Sequence, residues 1–177
     1  KSAMHQEIPA HLQTSLSNVE FDVVVCCYND ASTDKSIEIL NKLKKDYDAN
    51  ASLCESKLME TTLLIGTAAE GTSSRGAGYA RNQAVKLRDM ITPIDDDAKC
   101  FHFLCILDSD DIMHPTRIAE QTSAMLSLGY GQHGKHLSEK ALMGCQFDRI
   151  PNDSTWHYAT WANSSSEERV VLEQFRE

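Results

Sequence analysis

Residues 101–111 read FHFLCILDSDD, an apolar run of strand length that leads directly into three carboxylates. Unpaired charges are costly to bury, so these acids are expected to emerge where the strand ends. In open α/β sheets, ligands bind at the carboxyl ends of the strands. Asp108 and Asp110 alternate with Ser109, and an extended backbone places both carboxylates on one side. The pattern favours a site for a hard divalent cation that shares phosphate oxygens, with a solvated acidic turn as the alternative.

Outward from this stretch, short apolar runs alternate with helical patterns. Strands are predicted at residues 21–28, 61–66, 101–107 and 141–147. A helix is predicted after Thr33 or Asp34 as its N-cap, and a second one around residues 80–87. Further helices are predicted from Pro115 onward and over residues 167–175. A polar insertion is predicted at residues 47–60. This alternation is typical of an α/β protein with a mostly parallel sheet flanked by helices. A length of 177 residues predicts one domain over residues 1–177.

The composition narrows the function classes. Acidic residues outnumber basic ones 26 to 17, and no Lys/Arg stripe with interleaved aromatics is present, which argues against nucleic acid as a partner. No apolar run is long enough to form a membrane segment, and no signal peptide is visible. The six cysteines contain no CxxC pair, so a zinc ribbon is not expected and a reducing compartment is favoured. These features predict a cytoplasmic protein, and the start at Lys1 rather than Met predicts a fragment.

Two further polar stretches carry candidate binding residues. Residues 28–34, YNDASTD, place an amide and a carboxylate after the first strand, where they can bind a base or a ribose; a polar turn with a helix cap is the alternative. Residues 75–83, RGAGYARNQ, place Arg75 and Arg81 at the start of a helix. Helix N-termini attract anions, and arginine matches phosphate geometry, so this stretch predicts phosphate contact. Later in the chain, Trp156 and Trp161 either line an acceptor site or cover the core.

Together, these three motifs resemble those of the family 2 glycosyltransferases, in the order NDASTDKS, GYARNQA and LDSDDIMHPTR. The likeness covers about residues 21–175 and extends, through YNDASTDKS and NDSTWHYATW, to the beta-1,3-N-acetylglucosaminyltransferase-like proteins. The resemblance implies a Rossmann-like nucleotide-diphospho-sugar transferase (GT-A) fold. It also implies transfer of a sugar, such as N-acetylglucosamine, from a UDP-sugar to an acceptor glycan or another hydroxyl acceptor, with inversion and with Mn²⁺ or Mg²⁺.

The resemblance also implies roles for individual residues. Asn29 and Asp30 stand where the family contacts the uracil base, and the donor nucleotide is further contacted by Arg75, Arg81, Asn82 and Asp108. Asp108 and Asp110 match the DXD motif, the first near the ribose and the second holding the metal on the diphosphate.

The chain departs from the family pattern in three places. The leading strand with its Tyr-Asn or His-Asn turn is missing, Asn29 replaces an aspartate, and the catalytic base is expected beyond Glu177. The domain is therefore predicted to be incomplete at the N-terminal strand and at the acceptor side. A catalytically inactive nucleotide-sugar-binding fragment is the first alternative function. A haloacid dehalogenase-type phosphatase is the remote one, because Ile112 stands where that family has Thr or Val.

Overall fold

The computed structural model describes residues 2–50, 59–89, 102–129, 143–151 and 154–166. The chain divides into two compact units, Lys1–Leu137 and Ser138–Glu177, which are described separately below. Compact units also occur inside single domains, so the prediction of one domain over residues 1–177 stays a prediction.

The first unit contains a parallel pair of strands, β1 (Phe21–Asn29) and β2 (Met59–Thr67). The register pairs Phe21 with Met59 at one end and Asn29 with Thr67 at the other. Both strands were predicted from the sequence, and both are confirmed with slightly longer bounds. Helices pack on this sheet, so the fold is α/β with a two-stranded parallel sheet among the described residues. The parallel arrangement brings the carboxyl ends of both strands to the same edge.

The described residues contain four α-helices: α1 (Ser36–Asn50), α2 (Ala77–Asp89), α3 (Arg117–Ser127) and α4 (Trp156–Asn163). The first three confirm predicted helices, and the Ser36 amide donates to Asp34 Oδ1 at 2.9 Å, as a capping residue requires. Helix α1 runs through the first part of the predicted insertion at 47–60, so that prediction is wrong there. Leu40, Leu43 and Tyr47 keep the helical spacing across this boundary. The predicted helix at 167–175 lies outside the described residues.

Helix α2 lies against both strands, and Leu87 of α2 packs close to the backbone of Gly66 in β2. A Cβ added at Gly66 would meet Leu87 Cδ2 at 2.8 Å and Tyr28 Cδ2 at 3.0 Å. The missing side chain therefore lets Leu87 of α2 seat directly on the sheet. This packing sets the position of the α2 N-terminus relative to the strand ends.

The N-terminal segment packs against the residues just before α3 and at its start. Gln6 Nε2 donates to the His114 carbonyl at 3.1 Å, and Gln6 Oε1 accepts the Ile118 amide at 3.2 Å. Met4, Leu16, Met113 and Ala119 are buried in this region. The segment after the acidic cluster is therefore fixed by side-chain and backbone bonds from the start of the chain.

The predicted third strand, at 101–107, does not form over its described residues, 102–107. Residues 102–107 are not paired with another strand, and Phe103, Leu104 and Ile106 are exposed, Leu104 to 70%. The sequence pattern correctly indicates an apolar segment before the acids. It was wrongly interpreted as a buried strand, because burial requires a neighbouring strand and β1 pairs only with β2 among the described residues. The thiol of Cys105 is correspondingly exposed, whereas Cys26 and Cys27 of β1 are half-buried.

In the second unit, the predicted strand at 141–147 is also absent over its described residues, 143–147. The Phe147 amide donates to Asn163 Oδ1 at 3.0 Å, and Asn163 Nδ2 donates to the Phe147 carbonyl at 2.8 Å. The backbone of Phe147 is thus satisfied by one side chain of α4 instead of by a strand.

None of the helices in the described ranges has both the length and the apolar character needed to cross a bilayer.

Candidate functional site

The candidate site lies at the carboxyl ends of β1 and β2, where Asn29 is 8% exposed. Its Nδ2 donates to Thr67 Oγ1 at 3.2 Å, and its Oδ1 accepts the Ser32 amide at 3.3 Å. One amide side chain thus ties the end of β1 to the end of β2 and to the following turn. A buried polar group needs such partners, because an unsatisfied one would be costly.

Asp30, the next residue, joins β1 to the loop before α2. Its Oδ2 accepts the Ser74 hydroxyl at 2.9 Å, the Arg75 amide at 2.6 Å and the Gly76 amide at 2.9 Å. Gly76 has φ +93°, a conformation that glycine adopts without strain and that this loop uses to turn its amide toward Asp30. Desolvation by burial acts to raise the pKa of Asp30, but the bonds from Arg75, Ser74 and Gly76 outweigh it and lower that pKa.

The other oxygen of this carboxylate, Asp30 Oδ1, is buried and has no hydrogen-bond partner among the described residues. The following residue, Ala31, has φ +57°, an uncommon conformation for a residue with a side chain. Asn29 and Ala31 line an open cleft of about 420 Å³ whose other wall is the loop at 67–72. The residues on either side of Asp30 thus line a cleft of ligand size, and Asp30 itself is not among the lining residues.

Arg75 stacks on the ring of Tyr79. Its guanidinium carbon lies 4.7 Å from the centre of the Tyr79 ring, and its Nη1 donates to the Tyr79 hydroxyl at 3.1 Å. Tyr28 meets Tyr79 edge-on, with 6.1 Å between ring centres. Burial and, next, the hydrogen bond with Tyr79 raise the pKa of Tyr28. The backbone amides of Arg75 and Gly76, at the start of the stretch 75–83, both donate to Asp30.

Arg81 links α2 to the acidic stretch. Its Nε donates to Asp108 Oδ1 at 3.2 Å, and its Nη2 donates to the same oxygen. Both partners are about half exposed, so the pair contributes little to stability and stays accessible to solutes. The structure therefore brings together two residues that the sequence predicted as nucleotide contacts from separate motifs.

Two further predicted site residues, Asn82 and Asp110, are exposed. Asn82 follows Arg81 on α2 and is exposed. Asp110 is exposed in a tight turn that is closed by the Asp111 amide donating to the Asp108 carbonyl at 3.1 Å. The turn interrupts the extended backbone that was expected to align Asp108 with Asp110.

The acidic stretch offers carboxylate oxygens as possible ligands for a divalent cation. Within the described ranges no cluster of three or more His, Cys, Asp or Glu residues could hold a metal. Mg²⁺ is commonly bound by one or two carboxylates together with substrate phosphates and water, so a cluster of three is not required. The exposed carboxylates of Asp108 and Asp110 are hard oxygen donors of this kind.

Two residues of the site were missed by sequence reasoning. Ser74 donates to Asp30, and Thr67 accepts from Asn29. A signal for Thr67 is present in the sequence, because it is a polar residue at the carboxyl end of the second predicted strand. Ser74 carries no comparable signal, since its role depends on the path of the loop.

No protein-family model matches the chain, and no solved structure matches it either. The functional conclusion therefore rests on the residues and geometry described above.

Proposed function

We propose that the first unit binds the donor of a sugar transfer, a UDP-sugar, and that the chain is a family 2 glycosyltransferase with a GT-A fold. The observation that carries the proposal is the state of Asp30. Three donors hold one carboxylate oxygen, and the other is buried without a partner among the described residues, while the neighbouring residues Asn29 and Ala31 line a cleft. A site that holds an acceptor ready in this way suits a ligand that offers a hydrogen-bond donor.

Uracil offers such a donor, its imide N–H, next to two carbonyl acceptors. In the proposed complex, Asp30 Oδ1 accepts this N–H, while Asn29 keeps the two strand ends in place through Thr67 and Ser32. The Asp30 carboxylate, whose pKa lies below its ordinary value, is ionised at neutral pH, and a charged acceptor forms a stronger hydrogen bond than a neutral one.

The diphosphate is assigned to Arg81 with Asn82 and Arg75 from the start of α2. The guanidinium of Arg81 is half exposed and lies next to Asp108 in the acidic stretch. It is therefore accessible to phosphate oxygens of a ligand bound near this stretch. Asp110, together with Asp108, would hold Mn²⁺ or Mg²⁺ against the same oxygens. The ion would stabilise the negative charge that develops on the leaving diphosphate. The proton-accepting base of the transfer is not assigned to a residue of this chain.

Arg81→Ala tests the phosphate assignment. The dissociation constant for UDP is expected to rise about tenfold or more, because a charged hydrogen bond to phosphate is lost. The constant for uridine, which has no phosphate, is expected to change little. Isothermal calorimetry with both ligands measures the two constants, and Arg117→Ala is the matched control, since Arg117 bonds Gln121 within α3. Equal weakening of UDP and uridine would place Arg81 away from the phosphates.

A further inference from the structure

The second unit carries its own cleft, of about 380 Å³, which lies within the size range of small-molecule sites. Its described lining is formed by Asp148, Arg149, Trp156, Ala159, Thr160 and Asn163. None of these residues takes part in the nucleotide site proposed above. All of the described lining residues belong to the second unit.

The walls of this cleft are held in place by contacts within the unit. Asn163 uses its amide group on both backbone groups of Phe147. The Arg149 guanidinium carbon lies 5.4 Å from the centre of the Phe147 ring and 5.6 Å from that of Tyr158, which positions the cation over two aromatic faces. Tyr158 also stacks on Trp161, with 5.7 Å between ring centres. Aromatic packing thus supports the side chains that line the cleft.

The remaining lining groups offer one flat apolar surface and several polar ones. Trp156 is 54% exposed, which is unusual because tryptophan, the largest side chain, is highly buried on average. Asp148 can only accept hydrogen bonds and Thr160 can donate and accept. Neither side chain has a hydrogen-bond partner among the described residues. Asp148 and Arg149 are the only formally charged side chains in residues 143–151 and 154–166, so the described part of the unit has a net charge of zero with histidine neutral.

We propose that this cleft binds a neutral saccharide through a pyranose ring. Such a ring presents C–H groups on its faces and hydroxyl groups around its rim. Its face would stack on Trp156, while adjacent hydroxyls donate to Asp148 and accept from Arg149. A nucleotide or another phosphate fits less well, because Asp148 repels it and only Arg149 offsets that charge. The proposal stands whether or not the first unit binds UDP.

The two tryptophans of the chain, Trp156 and Trp161, both lie in this unit, so intrinsic fluorescence reports on it specifically. The methyl glycosides of glucose, galactose and N-acetylglucosamine are the probes, titrated into the full chain. At least one is expected to produce a saturable fluorescence change and to receive saturation transfer in proton NMR. Trp161→Phe should keep the fluorescence change because Trp156 remains, and Trp156→Phe should lose it.

Asp148→Asn keeps the shape of the side chain and removes its charge, so it is expected to raise the dissociation constant of the bound glycoside about tenfold. Asp22→Asn, an exposed aspartate in β1, is the matched control and should leave that constant unchanged. Absence of fluorescence change and of saturation transfer with all three glycosides would overturn the proposal. A response to uridine or to a peptide, with none to the glycosides, would equally overturn it.

Discussion

At the scale of single residues, Asp30 is the centre of the first unit's candidate site. One carboxylate gathers the Ser74 hydroxyl and the amides of Arg75 and Gly76, which lie more than forty positions later in the chain. These hydrogen-bond donors, which come just before α2, are thereby satisfied by the Asp30 side chain. Because helix N-termini attract negative charge, this arrangement stabilises the loop and α2 together.

This role makes stability depend on pH in a defined direction. The pKa of Asp30 is lower in the folded chain than its ordinary value, so protonation favours the unfolded state. Its contribution is present above the ordinary pKa and is lost as pH falls through the folded value, below about pH 4. Asp30→Asn should therefore lower the melting temperature at neutral pH and have a diminishing effect in acid. Thermal unfolding over a pH series checks this, with Asp22→Asn as the control. A difference that stays constant with pH would contradict the assigned role.

Single-residue chemistry was the part most accessible from sequence. Asn29, Asp30, Arg81 and Asp108 come from three separate motifs, and their roles in binding stay predictions. The structure bonds Asn29 to Thr67, Asp30 to the Arg75 amide and Arg81 to Asp108. The pairing of Arg81 with Asp108 was not predicted, because a motif states which groups are present and not which of them meet. The contact of the Arg75 side chain with Tyr79 was not predicted for the same reason.

At the scale of elements, the seating of α2 on the sheet positions the candidate site. Gly66→Val places a branched side chain where Leu87 and Tyr28 already lie within about 3 Å of the Cβ position. The expected cost is about 1–3 kcal/mol of unfolding free energy, typical of overpacking. Gly78→Ala within α2 is the matched control: nothing lies near its Cβ position, and alanine is the better helix former. Urea denaturation measures both, and an equal effect of the two substitutions would show that α2 does not pack as described.

The elements were predicted unevenly, and the reason is physical. Helix periodicity and capping are local, so α1, α2 and α3 could be found from sequence. Strand pairing is not local. Residues 102–107 have the apolar character of a buried strand, yet Phe103 and Leu104 are exposed because no described neighbour completes the sheet. Helix α4 was missed because its apolar residues show no helical stripe, and the two tryptophans were interpreted either as lining an acceptor site or as covering the core.

At the scale of the whole molecule, each unit carries a cleft with a different chemical character. The cleft in the first unit is lined by residues at the end of β1, among them Asn29, and by the loop at 67–72, which carries Glu70. The cleft in the second unit is lined by an aromatic ring and neutral or balanced polar groups. Overall, the chain carries a formal net charge of −9, which favours cations over free polyphosphates. Binding of a nucleotide diphosphate is therefore expected to require a divalent cation.

The most direct test of the donor-site proposal is a calorimetric titration of UDP into the full chain, first with Mn²⁺ and then with EDTA. Saturable binding is expected with Mn²⁺ and is expected to be lost with EDTA. Asp110→Ala should abolish the metal-dependent part while the circular dichroism spectrum stays unchanged, because Asp110 is exposed. Absence of binding in both conditions, or equal binding with and without the metal, would contradict a metal-dependent donor site at the ends of β1 and β2.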